Sequence, residues 1–186
     1  MTTTHTTRCA LMALAMAAFP LAAGTQSSYP KTLTASTEVT SPAGKSTATL
    51  TIHIEQLMED LYFKRVSDAL RTNGYQRFLP ALRALPAIGY VQLGETKTEL
   101  KYARERQAKP RLVLGTDRPI FFVGAGAANA KPKTGYDMAV IELDIDAQGN
   151  GEGTIAPAAR VKYSPDGPVV EDYAEKPLKL TVKAAK

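Results

Sequence analysis

The chain has 186 residues, of which 23 are Lys or Arg and 18 are Asp or Glu, with one cysteine and two histidines. A formal charge of +5 with both signs interspersed describes a solvated surface, not the concentrated basic face of a nucleic-acid binder. One cysteine excludes a disulfide-stapled scaffold and a thiolate metal cage, and the length suits a single domain with a real core.

The amino-terminal residues read as an export signal. Arg8 supplies a basic start, Cys9 to Leu21 an apolar run, and Leu21-Ala22-Ala23-Gly24 small residues for cleavage. A membrane span needs about 20 apolar residues, so the run is too short for one, and Pro20 with a Thr/Ser-rich stretch follows it. The expected organisation is a signal peptide over 1–24, a disordered Thr/Ser-rich lead-in over 25–46 and one domain over 47–186, in the periplasm or outside the cell. Removing the signal takes away Cys9 and His5, which leaves a cysteine-free domain with His53 as its sole histidine.

From Thr47 the chain alternates. Ala48, Leu50, Ile52 and Ile54 fall on one side of an extended segment, and Thr47, Thr49, Thr51 and His53 on the other, the period of a half-buried strand. Between 58 and 85 the apolar spacing becomes helical. Leu61, Tyr62, Val66, Ala69 and Leu70 form one stripe, Asn73-Gly74 supplies a stop, and Phe78, Leu79, Leu82 and Leu85 form a second stripe that Pro80 should bend.

The rest predicts strands near 90–93, 97–106, 111–116, 120–123, 138–146, 153–163, 169–173 and 178–183. Short connections favour an antiparallel meander, since parallel strands need long crossovers. Ile141, Leu143 and Ile145 alternate with Glu142, Asp144 and Asp146, and Leu178, Leu180 and Val182 with Lys179, Thr181 and Lys183, so these strands border water. Leu112-Val113-Leu114 and Ile120-Phe121-Phe122-Val123 are apolar on both sides and should be covered on both. The expected fold is α+β: a curved or partly closed antiparallel sheet of about 8 strands against a short helical pair.

Two motif-like strings fail. Gly124-Ala125-Gly126-Ala127-Ala128-Asn129 lacks the third glycine of a dinucleotide fingerprint, and Pro132 with Gly135 blocks the helix that must follow. Asp144 to Gly153 begins like a calcium loop but has Gln148 and Ile155 where ligands belong, so a hairpin turn through Gly149 and Gly151 accounts for it better. No cofactor or metal is implied. His53 reads as an exposed strand residue with no Gly-x-Ser-x-Gly elbow to serve, and Glu171-Asp172 point to opposite faces of a strand.

One cluster stands out. If Gln107 to Pro110 turns a hairpin, Leu100, Tyr102 and Arg104 share a face with Val113, Gly115 and Asp117, and Arg118 follows at once. The bland account is an edge salt bridge with an aromatic over a glycine. The functional account makes Tyr102, Arg104, Asp117 and Arg118 a site for a small anionic or hydroxylated ligand, with Asp117 orienting an arginine.

The strings Leu50-Thr-Ile-His-Ile54, Lys101-Tyr-Ala-Arg-Glu105, Thr116-Asp-Arg-Pro-Ile120, Val140-Ile-Glu-Leu143, Gly151-Glu-Gly153 and Glu171-Asp-Tyr173 resemble a group of small, signal-bearing bacterial proteins to which no activity is assigned. The resemblance covers about 50–182. It implies a bacterial origin, export and a shared single domain, and carries no site residues. The functional expectation is an exported cell-envelope binding or interaction domain, its partner a small ligand or an envelope protein and not nucleic acid, with no stable membrane span after signal removal. A structural or assembly factor without a small ligand comes second, and a carboxylate-based hydrolase third. Oligomeric state stays open.

Overall fold

Period-two alternation begins earlier than Thr47. The computed structural model describes residues 29–41, 44–106, 111–122 and 133–185, so the expected signal segment, the expected turn at 107–110 and the string 124–129 lie outside the described residues. Strand β1 (Lys31–Ser41) buries Leu33, Ala35, Thr37 and Val39 and pairs antiparallel with β2 (Gly44–Ile54) over eleven positions. Residues 31–41 of the expected lead-in therefore form a full strand, and 44–46 open the next one. Threonine is β-branched and suits a pleated, half-buried surface, so a composition that looked like low complexity concealed a strand pattern.

Helices α1 (Asp60–Asn73) and α2 (Tyr75–Arg83) follow, divided at Gly74, whose φ of 68° places it in the left-handed region that glycine tolerates. Val66, Leu70, Phe78, Leu79 and Leu82 are buried, as the two stripes require, whereas Leu61 at the first turn of α1 is 73% exposed, and Pro80 lies inside α2. The pair is tied to the sheet by polar anchors. The Tyr75 hydroxyl donates to the Ala159 carbonyl (3.3 Å) and accepts from the Asp137 N–H (3.1 Å), and Arg83 Nε donates to the Asp117 carbonyl (2.8 Å). Burial raises the Tyr75 phenol to about 12.

The remaining strands are β3 (Gly89–Leu93), β4 (Thr96–Arg106), β5 (Arg111–Thr116), β6 (Met138–Ile145), β7 (Gly151–Lys162), β8 (Val169–Tyr173) and β9 (Leu178–Ala184). Each pairs antiparallel with its neighbour through β7. The first half of β7 then pairs with β9 and its second half with β8, and β9 returns to β1. Eight strands thus close a barrel, with β8 as an extra strand on β7. Closure is more complete than a curled sheet and removes the unpaired edges an open sheet would expose. Leu33, Leu50, Ile52, Ile54, Leu100, Leu114, Ile141, Leu143 and Ile155 are fully buried together, so the interior is filled with side chains, as an eight-stranded barrel allows.

Leu112, Val113 and Leu114 are all buried, the two-sided cover their unbroken apolar run requires. The expected strand at 120–123 does not form in its described part. Ile120 and Phe122 are buried, but the segment carries no ladder: Ile120 N–H bonds the Pro157 carbonyl, and Pro119 has no donor to contribute. The Asp146–Asn150 turn closes as a hairpin, with Gly149 at φ 84° and its N–H on the Asp146 carbonyl. No helix among the described residues is long and apolar enough to cross a membrane.

Candidate functional site

Register brings together outward-facing polar residues from four strands. Leu112 pairs with Leu143, which sets Arg111 beside Asp144. Asp144 lies opposite Glu152, Glu142 opposite Thr154, Thr154 opposite Lys179 and Glu152 opposite Thr181. These side chains line a concavity of about 320 Å³ on the outer wall. Two glycines allow β7 to approach β6 this closely. A Cβ on Gly151 would sit 2.0 Å from the Asp144 carbonyl oxygen, and one on Gly153 would sit 2.4 Å from that of Glu142.

Arg111 is clamped at the centre. Its Nε and Nη2 donate to the two Asp144 oxygens at 2.8 and 2.7 Å, and its Nη1 donates to Glu142 Oε2 at 2.9 Å. The bidentate fork matches carboxylate geometry and holds the guanidinium well above its usual pKa, first through the Asp144 hydrogen bonds. Glu152 and Lys179 have no ion-pair or side-chain hydrogen-bond partner among the described residues. Asp144 directly opposite Glu152 is an unfavourable like-charge pair, which a ligand donor between them would relieve.

No family model matches the chain, and no curated protein or solved structure matches it. The site's chemistry is therefore read from its geometry.

Tyr102, Arg104, Asp117 and Arg118 separate into two groups. Tyr102 does pair with Gly115, and a Cβ on that glycine would stand 3.2 Å from the Tyr102 Cβ, so the tyrosine covers the glycine. It is only 4% exposed, with Phe63 6.5 Å away, and burial pushes its phenol up to about 12. Arg104 lies over the Phe63 ring (4.3 Å) and pairs with Asp60 at 2.6 Å. Asp117 and Arg118 pair with each other at 3.3 Å beyond the end of β5, where the Asp117 N–H has turned to the Glu99 carbonyl. A register shift between Leu100 and Tyr102 puts Leu100 in the barrel interior, off the face the expected hairpin gave it.

His53 is half-buried where an exposed residue was expected. Its Nδ1 lies 2.8 Å from Thr32 Oγ1 and its ring stacks on Tyr90 at 5.1 Å. Glu171 and Asp172 take separate partners: Arg160 binds Glu171 (2.9 Å), and the Tyr136 hydroxyl donates to Asp172. Among the described residues no three His, Cys, Asp or Glu side chains are grouped to hold a metal ion. β6 and β9 show their alternation in the sequence, but which acids face Arg111 depends on register across β5, β6 and β7.

Proposed function

We propose that the protein is an exported cell-envelope binding domain that captures a hydroxylated ligand, an envelope saccharide, on its outer wall at Arg111, Glu142, Asp144, Glu152 and Lys179. The observation that carries this reading is the engagement of Arg111 through Nε, Nη1 and Nη2. An anion arriving there would meet three carboxylates and, with the guanidinium engaged, the single ammonium of Lys179. A polyol, by contrast, donates hydroxyl protons to carboxylates and accepts from Lys179, Thr154 and Thr181. The filled barrel interior supports the same placement, and the apolar run after Arg8 supports export.

Titration of ¹⁵N-labelled protein with N-acetylglucosamine oligomers tests the reading. Amide shifts at Thr154, Lys179 and Thr181 are expected. Glu152→Gln should weaken binding by about tenfold or more, because a hydrogen bond to a charged group is worth about 1.5–3 kcal/mol. Shifts confined to other strands, or equal affinity in the variant, overturn it. New reducing ends in the same mixtures, lost with Glu152→Gln, assign hydrolysis instead, since Asp144 and Glu152 face each other across β6 and β7.

A further inference from the structure

The barrel wall is incompletely sealed along one seam. β1 pairs with β2 over its whole length but with β9 only from Leu33↔Ala184 to Ser36↔Thr181. Had the ladder continued, Thr37 would face Leu180, Glu38 would face Lys179 and Thr40 would face Pro177. Instead β9 pairs on one side only, with β7, over residues 178–180. Pro177 has no N–H to extend the ladder, and the loop from β8 enters at that point. Among the described residues no backbone hydrogen bond reaches the β9-facing edge of residues 37–40.

The strands diverge into an open slot of about 520 Å³ lined by Ser36, Thr37, Glu38, Thr47, Leu178 and Lys179. Thr37 marks the point of divergence. It is 4% exposed, and its Oγ1 is buried without a hydrogen-bond partner. An unpaired main-chain edge and a neighbouring cleft have one complement in common, a strand that supplies main-chain donors and acceptors.

We propose that this seam binds a short extended peptide of a partner protein, which pairs through its main chain with the free edge of β1. Glu38 on one wall and Lys179 on the other favour a segment that alternates basic and acidic or hydroxyl side chains. The seam shares Lys179 with the saccharide site, but main-chain pairing uses neither Arg111 nor its carboxylates, and perturbation of residues 37–40 distinguishes the two.

The test uses a blocked peptide of alternating threonine and valine, and the same peptide N-methylated at alternate residues. Titrated into ¹⁵N-labelled protein, the first should shift the amides of residues 37–40 and 178–180 and slow hydrogen exchange about tenfold or more at Glu38 and Thr40, whose N–H groups face the seam. The N-methylated peptide lacks the donors and should bind at least about tenfold more weakly. Equal binding of the two peptides, or perturbation confined to residues elsewhere, overturns the proposal. So does protection of 37–40 that grows with protein concentration without peptide, which identifies a second copy as the occupant.

Discussion

Two interior threonines, Thr37 and Thr116, should respond in opposite directions to the same change. Both are buried, and valine nearly matches threonine in shape. Thr37 Oγ1 has no partner, so Thr37→Val removes a polar group already separated from water and should stabilise by about 1 kcal/mol. Thr116 Oγ1 donates to the Arg118 carbonyl at 2.6 Å and accepts the Ala139 N–H at 2.9 Å, which ties the end of β5 to the start of β6. Thr116→Val orphans both groups, at about 1–3 kcal/mol for each unsatisfied one. For a domain of this size 1 kcal/mol moves Tm by about 2–4 °C, so Thr37→Val should raise Tm by a few degrees and Thr116→Val should lower it by about 4 °C or more. Urea unfolding followed by circular dichroism, with the slope m unchanged in both variants, gives the comparison. Loss of stability in Thr37→Val would refute the reasoning, because the hydroxyl would then have a partner in solution.

Gly151→Ala should cost about 2–4 kcal/mol, because its Cβ meets the Asp144 carbonyl and its φ of 159° disfavours a side chain; Gly94→Ala, at φ 59° but in open space, should cost only about 1–2 kcal/mol by the same urea measurement. The Tyr136 hydrogen bond, followed by that of the Tyr173 N–H, holds the Asp172 carboxyl below its usual range. A depressed carboxyl stabilises fully above its unfolded value of about 3.9 and loses that contribution as pH falls through its folded value. Wild type should therefore exceed Tyr136→Phe in Tm at neutral pH and converge with it on acidification, and a gap that persists in acid would assign the difference to packing. Mass spectrometry of protein recovered outside the cytoplasm of a bacterial host should show a chain beginning at Gly24 or Thr25, and an intact Met1 would remove the signal assignment.

Local pattern made much of the fold legible. Period two identified β2, β6 and β9, the Asn73-Gly74 stop divided the helices, Gly149 and Gly151 marked a hairpin, and the unbroken run through Leu112, Val113 and Leu114 implied two-sided burial. Each is a statement about which face a residue presents, and side-chain chemistry along one segment is enough to determine that. Partnership is a different property. Leu33 meets Ala184 across nearly the whole chain, and no local spacing records that contact, so closure of the barrel and the strand status of β1 appeared only in three dimensions. The same holds for the candidate sites. A one-residue shift between Leu100 and Tyr102 sent Leu100 inward, and with the turn of the chain after β5 the expected four-residue cluster became two separate pairs. Pairing of β5 with β6 and of β6 with β7 placed Arg111 between Glu142 and Asp144, because register is set by the summed burial of whole strands and not by the polar residues that ride on them.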